Sequence, residues 1–430
     1  MKYISTRGQS EPVDFIGACL AGLAPDGGLY IPESYPAIAP AKPGEPYSQV
    51  AARVISAFAG DTLTQEEVLG LCERAYATFA HQSVTPLTQS GPSSWLLELH
   101  HGPTLAFKDV AMQLIGQLYD LVLGKTGRRM TIMCATSGDT GGAVANGFYN
   151  VEGVNVVILY PSGKVSHIQE QQLTTLGGNI EAIEVDGTFD DCQAMVKQAF
   201  LDEDLKALNL TSANSINIAR WLPQLFYFLF AFKQVKSKGK ELVFSVPSGN
   251  FGNICAGMVA HTLGMPVKHF VASVNSNDIV PEYLKTGEYK PKPSVATISN
   301  AMDVGDPSNF IRIQKLFNND LEALSQKLSS FSYSDEETKA AMQKIYAETG
   351  YIADPHGAVG YLGLKHYLKD HPDAYGIFLE TAHPVKFLPV VNPVIDAEIE
   401  IPEQIKAVMD KEKHAIAIKN YDEFKSFLLS

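Results

Sequence analysis

Short apolar runs alternate with amphipathic stretches along most of the 430-residue chain. The short runs predict buried strands at residues 130–135, 154–160, 180–185, 242–246, 267–274 and 376–379. Helical spacing predicts helices at residues 107–122, 143–148, 165–176, 188–200, 254–263, 310–328, 334–348 and 356–368. Because strands that alternate with helices need crossover connections, the pattern predicts an α/β fold with mostly parallel sheet covered on both faces.

The part of the chain before these strands is mainly helical. Residues 47–60 and 64–80 have helical spacing, and Thr64 with Glu67 forms a capping-box pattern at the second start. Further along, a polar break at residues 233–241 divides the predicted strands into two sets. We therefore expect a small N-terminal helical domain at residues 1–90, followed by α/β domains at residues 91–235 and 236–430.

Three segments have little periodicity. Residues 82–94 are predicted to form turns and a crossing loop, and residues 275–309 a surface excursion or a cover over the active site. Residues 392–430 are predicted to be a peripheral tail. The most apolar stretch, residues 222–232, is about half the length of a membrane span and predicts a buried helix.

The charge and the cysteines narrow the possible partners and the compartment. The net charge is −13, and no cluster of lysine and arginine is long enough to follow a phosphate backbone, so nucleic acid is not expected as a partner. The five cysteines are scattered, which disfavours disulfides and a zinc site. The amino terminus lacks the apolar core of a signal peptide. We expect a cytoplasmic protein that does not bind membranes.

One lysine lies where the helical spacing of residues 107–122 begins. Lys108 stands between Phe107 and Asp109. An ammonium is disfavoured at the positive amino end of a helix, and apolar neighbours would lower its pKa, provided that Asp109 points away. Such a lysine is a nucleophile of the kind that forms Schiff bases. A solvent-facing lysine without a role is the competing interpretation.

Two glycine-containing loops follow predicted strands, where open α/β sheets place their ligands. In the sequence PSGNFGN, Gly249 and Gly252 let backbone N–H groups approach an anion, and the following helix adds its dipole. This loop lacks the spacing of nucleotide-binding loops, so it predicts a cradle for a different phosphate. In the sequence ATSGDTGG, Ser137, Thr140 and nearby N–H groups suit a carboxylate. A tight turn without a ligand is the competing interpretation of each loop.

Further polar residues lie near other predicted strand and helix ends. Thr381 follows a buried strand, and its hydroxyl suits a neutral ring nitrogen, unless it merely caps the helix that begins near Pro384. His100 and His101 adjoin the Lys108 segment and either orient it or are structural. Arg220, in the sequence NSINIAR, suits an oxyanion, although a lone arginine more commonly pairs with a surface carboxylate. The sequence NSINIAR supplies the side chains Asn214, Ser215, Asn217 and Arg220.

A reactive lysine, a phosphate cradle at the edge of a sheet and a hydroxyl for a pyridine nitrogen together indicate a pyridoxal phosphate site. The loop ATSGDTGG, which suits a carboxylate, and the segment NSINIAR, which contains Arg220, would hold an amino-acid substrate. These residues by themselves do not specify the reaction.

At these positions the chain resembles the threonine synthase family, in the fold-type II, tryptophan synthase β-like group of pyridoxal phosphate enzymes. Matching motifs follow the family's order along nearly the whole chain, namely YISTRG, LAPDGGLYIP, HGPTLAFKD, ATSGDTG, NSINIAR, PSGNFGN, SNAMDVGDPSN and ETAHPVKF. HGPTLAFKD is shared with serine/threonine dehydratases, whereas SNAMDVG and TAHPVKF are more specific. The resemblance implies two open, mostly parallel sheets with helices on both faces and a small N-terminal domain.

The resemblance also implies the reaction and the roles of residues. Lys108 would hold the cofactor and move protons, and Thr381 would face its ring nitrogen. The cofactor phosphate would be bound by Gly249, Asn250, Phe251, Gly252 and Asn253. The substrate, O-phospho-L-homoserine, would be converted with water to L-threonine and phosphate. It would be bound by Ser137, Asp139, Thr140, Asn214, Ser215 and Arg220. Related enzymes often have asparagine in place of Asp139, which leaves its hydrogen-bond role open.

Two alternatives remain. The nearest is another fold-type II lyase, either an O-phosphohomoserine phospholyase or a threonine dehydratase, which would share Lys108 and the glycine loop. The second is a binding protein that keeps the fold without the chemistry. The protein is expected to be either a monomer or a homodimer.

Overall fold

The computed structural model describes residues 1–39, 41–235 and 240–430, and its strands form two large sheets and one small sheet. The strands of the described residues are β1 (Tyr3–Ser5), β2 (Tyr30–Pro32), β3 (Leu87–Gly91), β4 (Ser94–Glu98), β5 (Met130–Ala135), β6 (Val154–Pro161), β7 (Ile180–Val185), β8 (Leu210–Ser212), β9 (Glu241–Pro247), β10 (His269–Val274), β11 (Leu328–Ser332), β12 (Ala374–Glu380) and β13 (Ile416–Ile418).

Helices connect most of these strands. The helices of the described residues are α1 (Phe15–Ala21), α2 (Tyr47–Ala59), α3 (Gln65–Tyr76), α4 (Asp109–Thr126), α5 (Asp139–Phe148), α6 (His167–Thr174), α7 (Phe189–Leu201), α8 (Ile218–Trp221), α9 (Leu225–Gln234), α10 (Gly252–Thr262), α11 (Ile279–Thr286), α12 (Phe310–Leu316), α13 (Leu321–Ser325), α14 (Asp335–Thr349), α15 (Pro355–Asp370), α16 (Leu388–Val391), α17 (Glu403–Met409) and α18 (Tyr421–Leu429).

Both large sheets are mostly parallel, as predicted. One has the strand order β11-β10-β9-β12-β4-β3, in which only the β3–β4 pair is antiparallel among the described strands. The other has the order β13-β7-β6-β5-β8 and is parallel throughout its described length. A short antiparallel pair, β1 and β2, lies near the amino terminus. The α/β fold class predicted from the alternating pattern is confirmed.

Strand β5 illustrates how apolar runs become strands buried on both faces. Ile132 and Cys134 belong to the core that contains residues of α4 and α5. Met133 and Ala135, which point to the opposite face, belong to the core formed with α7. Because both faces are covered, an unbroken apolar run is the expected pattern for such a strand.

Two local predictions were wrong. Residues 82–94 were expected to form turns and a crossing loop, but residues 87–91 form β3 and Ser94 begins β4, and the pairing of Leu87 with Leu97 makes an antiparallel sheet edge. Residues 310–328 were expected to form one helix, which is interrupted instead. Asn318 and Asn319 adopt left-handed conformations with φ of 54° and 59°, and Asp320 then caps α13.

The strands do not follow the predicted domain boundaries. Strand β4 belongs to the sheet built mainly from residues after 240, and β13 joins the sheet of β5 to β8. The predicted peripheral tail at residues 392–430 therefore supplies an edge strand. The predicted N-terminal helices are present, but a β-strand pair accompanies them. The division into three domains stays a prediction.

The apolar stretch at residues 222–232 forms a short 3₁₀ turn and then α9, most of whose side chains are buried, as predicted. In the ranges that the structure describes, every helix falls short of the length and apolarity needed to cross a lipid bilayer.

Helices α4 and α5 approach each other closely through glycines. A Cβ atom on Gly116 would lie 1.9 Å from the carbonyl oxygen of Gly147, which is backbone and cannot rotate away. We expect Gly116→Ala to lower the free energy of unfolding by about 1–3 kcal/mol, because the helices must separate. Gly124, in the same helix, has no atom from another part of the described structure within 4 Å of its Cβ position. Gly124→Ala should change stability by less than about 1 kcal/mol, and in the stabilising direction.

Urea unfolding of both variants tests this expectation. Equal effects of Gly116→Ala and Gly124→Ala would contradict the close approach of the two helices. The approach matters for the site because α4 follows Lys108 and α5 begins at Asp139.

Candidate active site

The residues selected from the sequence lie mainly at the carboxyl ends of strands in the two large sheets. Asp139 follows β5, and Thr381 follows β12. The loop at residues 249–253, called the glycine loop below, follows β9. Lys108 immediately precedes α4. This is where open α/β sheets form their binding crevices.

Backbone contacts hold the Lys108 segment against the end of β12. Phe107 N–H donates to the Thr381 carbonyl at 2.8 Å, and His383 N–H donates to the Leu105 carbonyl at 3.0 Å. Leu105 adopts a left-handed conformation with φ of 60°, which turns the chain sharply before the helix. The same turn therefore fixes the backbone on which Lys108 and Thr381 are carried.

Lys108 is buried, with 9% of its surface exposed. Burial lowers the pKa of its amine to about 8. The Asp139 carboxylate opposes this effect from 3.9 Å, whereas the charges of Arg220 and Lys386 add to it. The prediction of a desolvated lysine with a lowered pKa is confirmed, and the solvent-facing interpretation is wrong.

Asp109, the next residue, points away from the lysine as expected. Its carboxylate accepts hydrogen bonds from the Thr104 N–H at 2.8 Å and the Thr104 hydroxyl at 2.6 Å. Burial raises the pKa of Asp109 to about 6, although the Thr104 hydrogen bonds oppose this. Asp109 therefore shapes the loop before the helix and does not pair with Lys108.

Asp139 lies between two buried lysines. Its Oδ1 atom is 2.8 Å from Lys386 Nζ and accepts a hydrogen bond from Gln169 Nε2 at 2.9 Å. Its Oδ2 atom is the one that faces Lys108. Burial acts to raise the pKa of Asp139, but the attraction of Lys386 and Lys108 outweighs it and holds the pKa far below its usual range. Asp139 is therefore ionised.

The two hydroxyls of the same loop, Ser137 and Thr140, are partly exposed and make no side-chain hydrogen bond to any described residue. Thr136 organises the loop instead, because its hydroxyl oxygen accepts hydrogen bonds from Gly138 N–H at 3.0 Å and Gly141 N–H at 2.8 Å. Ser137 and Thr140 remain available to a ligand.

The segment at residues 214–220 comes close to Lys108 through Arg220, whose charge lowers the pKa of the lysine. Arg220 is 4% exposed and donates to the Ala213 carbonyl at 2.9 Å. It has no carboxylate partner among the described residues, so the surface-pairing alternative is wrong. Asn214 accepts a weak hydrogen bond from the Cys134 thiol at 3.2 Å. Asn217 is structural, because it caps α8.

The glycine loop at residues 249–253 has the features of an anion cradle. The backbone N–H groups of these five residues donate no hydrogen bond to another residue in the described part of the chain. Phe251 is left-handed, with φ of 60°, at the start of α10. A Cβ on Gly249 would lie 2.8 Å from the Ala301 carbonyl oxygen, so no other residue fits there. Unpaired N–H groups at a helix start attract an anion.

Sequence profiles of three families match the chain. They are described as "Pyridoxal-phosphate dependent enzyme" at residues 79–376, "Threonine synthase N terminus" at residues 2–76 and "Threonine synthase, C-terminal" at residues 357–428. The threonine synthase of Escherichia coli (strain K12) is 43% identical over 411 residues, which cover 94% of this chain and 94% of that protein.

The chain belongs to the threonine synthase family.

Solved structures of the threonine synthase family have the same fold. A pyridoxal phosphate-bound threonine synthase from Brucella melitensis superposes with a TM-score of 0.93 at 35% identity, covering 100% of this chain and 98% of that one. The Escherichia coli threonine synthase gives a TM-score of 0.91 at 40% identity, covering 100% and 99%. The fold-type II architecture, the pyridoxal phosphate cofactor and the lyase activity of threonine biosynthesis, all expected from the sequence motifs, are confirmed.

In this member of the threonine synthase family, Thr381 has a free hydroxyl. Thr381 is 6% exposed, and its hydroxyl makes no hydrogen bond within the described ranges. The helix-cap alternative is wrong, because the Nδ1 atom of His383 accepts from the Val385 N–H at the start of the following turn. The Nε2 atom of His100 lies 3.3 Å from the Tyr351 hydroxyl, and that of His101 lies 2.6 Å from the Glu98 carboxylate.

Sequence reasoning missed three residues of the site. Lys386 and Gln169 hold Asp139, and Asn309 lies beside the glycine loop. The Nδ2 atom of Asn309 is buried without a partner among the described residues, 3.3 Å from the Cβ position of Gly252. The family motifs TAHPVKF and SNAMDVGDPSN contain Lys386 and Asn309. Nothing in the motifs indicated which of their residues are buried.

Proposed function

We propose that the chain converts O-phospho-L-homoserine and water to L-threonine and phosphate, with Lys108 as the catalytic residue. The observation that carries this proposal is the buried Lys108 amine, with its lowered pKa, beside the ionised Asp139 and the unpaired cation Arg220. An amine that loses its proton near neutral pH is suited both to bond an aldehyde and to move protons.

The residues present fit pyridoxal phosphate. The free N–H groups of Gly249, Asn250, Phe251, Gly252 and Asn253 would hold its phosphate, and the unpartnered Nδ2 atom of Asn309 adds a donor next to them. The free Thr381 hydroxyl would face its ring nitrogen, and a hydroxyl leaves that nitrogen less protonated than a carboxylate would. When bound through Lys108, the cofactor supplies a sink for the electrons left on the substrate after proton removal.

The substrate would be held at both ends by polar and charged groups of the site. Ser137 and Thr140, with nearby N–H groups, would bind the α-carboxylate. Arg220, with Asn214 and Ser215, would bind the phosphate. Burial lowers the pKa of Arg220 to about 10, so the guanidinium still carries its charge at neutral pH and an anion would compensate it. Asp139 would face the substrate side of Lys108 as a fixed negative charge.

Lys108 would carry the protons of the reaction. Its uncharged Nζ atom would take the proton from Cα, pass it to the phosphate group of the substrate, and then take a second proton from Cβ, after which hydrogen phosphate leaves Cγ toward Arg220. Lys108 would return its proton to Cγ, and water would then supply the hydroxyl group at Cβ and the proton at Cα of L-threonine, so one water is consumed for each phosphate released. Because the site is largely buried, water is excluded, and the protons carried by Lys108 would not exchange freely with solvent.

The products formed from O-phospho-L-homoserine test this proposal. We expect L-threonine and inorganic phosphate in equal amounts, and little 2-oxobutyrate, when the pyridoxal phosphate-loaded protein acts on this substrate. Predominant 2-oxobutyrate would identify a phospholyase instead. Release of 2-oxobutyrate from L-threonine, in a parallel assay, would identify a threonine dehydratase.

We also propose a cytoplasmic location and a monomeric or homodimeric state. All five cysteines are free and buried, which suits a reducing compartment.

A further inference from the structure

The side-chain cluster around Asp139 contains more positive than negative groups. Lys108, Arg220 and Lys386 are all buried, and Asp139 is the ionised carboxylate that lies among them. One carboxylate compensates one cation in full. The charge state of Lys108 therefore depends on which lysine Asp139 is paired with.

The geometry favours Lys386. Lys386 Nζ lies 2.8 Å from Asp139 Oδ1, whereas Lys108 Nζ lies 3.9 Å from Oδ2, beyond hydrogen-bond distance. The Lys386 side chain is completely buried, so water does not compete for it. Its ammonium is thus bonded to the carboxylate, and that of Lys108 is not.

Other contacts fix this arrangement. Lys386 Nζ also donates to the Thr104 carbonyl at 2.8 Å, which receives a second hydrogen bond from Gln172 at 3.1 Å. Gln169 Nε2 donates to the same Asp139 oxygen that Lys386 contacts. Oδ1 is thereby held by two donors, and the carboxylate is prevented from rotating toward Lys108.

We propose that Lys386 is a positioning residue that holds the Asp139 carboxylate by an ion pair and so leaves the Lys108 amine free to lose its proton. This inference rests on the proposed role of Lys108. Without Lys386, the buried carboxylate would be compensated by the Lys108 ammonium, which would retain its proton. Removing the Lys386 charge would also favour the protonated form of Lys108, because the repulsion between the two neighbouring ammonium groups would be lost.

The charged and titratable groups that face Lys108 are few. They are Asp139 at the start of α5, Arg220 in α8, Lys386 in the turn after β12 and Cys134 in β5. Lys386 itself also lies near Asp109. Arg220 keeps the same charge in the variants below, and burial holds the pKa of the Cys134 thiol far above neutrality, so the thiol stays uncharged.

Uptake of pyridoxal phosphate by apoprotein tests the proposal without measuring turnover. The rate at which the visible absorbance of the lysine-bound cofactor appears is measured against pH for wild type, Lys386→Met, Asp139→Asn and the double variant. In Lys386→Met the midpoint of the pH dependence should rise by about one unit or more, so that uptake near neutral pH slows about tenfold or more. Lys197→Met, at an exposed lysine, is the matched control and should behave as wild type.

The double variant separates a positioning role from direct contact with the cofactor. With both charges removed, the midpoint should return to the wild-type value or below it, and uptake near neutral pH should recover to within about threefold. Circular dichroism and thermal unfolding establish that each variant is folded. If Lys386→Met does not fold, the double variant, which leaves no unpaired carboxylate, still tests the proposal by its own midpoint.

Two results would overturn the inference. One is a folded Lys386→Met protein whose midpoint does not move. The other is a folded double variant whose uptake is as slow as that expected of Lys386→Met. A wild-type protein that takes up no cofactor at Lys108 would instead overturn the proposed role of Lys108.

Discussion

Replacing Lys108 by alanine is expected to lower kcat/KM for O-phospho-L-homoserine by at least about a thousandfold. The reason is that Lys108 would both hold the cofactor and carry the protons, and loss of a group with either role is costly. The protein should remain folded, because the substitution removes a buried amine that has no direct hydrogen bond to Asp139.

Borohydride reduction followed by peptide mass mapping provides a second measurement. Wild-type protein should carry a phosphopyridoxyl group on the peptide that contains Lys108, and the Lys108→Ala variant should carry none there. Lys197→Ala, at an exposed lysine, should match the wild type in both adduct and activity. Wild-type protein without an adduct on Lys108 would favour a binding protein that has the fold but not the chemistry. Residual activity within tenfold of wild type would contradict a catalytic role for Lys108.

Local patterns explain why much of the fold was predictable. The limits predicted for β5 and β7 match the structure, because an unbroken apolar run bounded by polar residues has few other places to be buried. The capping residues Thr64 and Thr188 also begin helices as expected, since their hydroxyls satisfy N–H groups only a few residues away. Lys108 was recognisable because its position at a helix start is unfavourable for a charge.

The remaining features depend on contacts between distant segments. The pairing of Lys386 with Asp139 joins the turn after β12 to the start of α5, and no local spacing encodes it. Asn309 is placed beside Gly252 by the fold, although the two residues are far apart in sequence. The predicted helix at residues 310–328 failed because the left-handed conformation of Asn318 outweighed the apolar spacing around it.

Arg312 shows how such distant contacts support the site. It is 2% exposed, and its guanidinium lies 5.0 Å from the Trp221 ring. It donates to the Tyr30 carbonyl at 3.0 Å and to the Ile216 carbonyl at 2.8 Å. One side chain thus connects β2 with the segment proposed to bind the substrate phosphate.

The same guanidinium reaches two further acceptors, the Ser215 carbonyl at 3.3 Å and the Oδ1 atom of Asn309. Because this contact occupies Oδ1, it leaves the Nδ2 atom of Asn309 beside the glycine loop. Arg312 therefore orients backbone and side-chain groups on both the cofactor side and the substrate side of the proposed site.

We expect Arg312→Met to lower the free energy of unfolding by about 4 kcal/mol, because two buried and two partly buried acceptors lose a charged donor at about 1–3 kcal/mol each. Arg312→Lys should lose less, since an ammonium keeps the charge but cannot reach all four acceptors. Arg128→Met, at an exposed arginine, should change stability by less than about 0.5 kcal/mol.

Urea unfolding measures all three variants. A loss below about 1 kcal/mol in Arg312→Met would mean that water or other donors satisfy these acceptors. If the folded fraction of Arg312→Lys is assayed, KM should rise more than kcat falls, because the residue positions the binding segments and would not touch the reacting atoms.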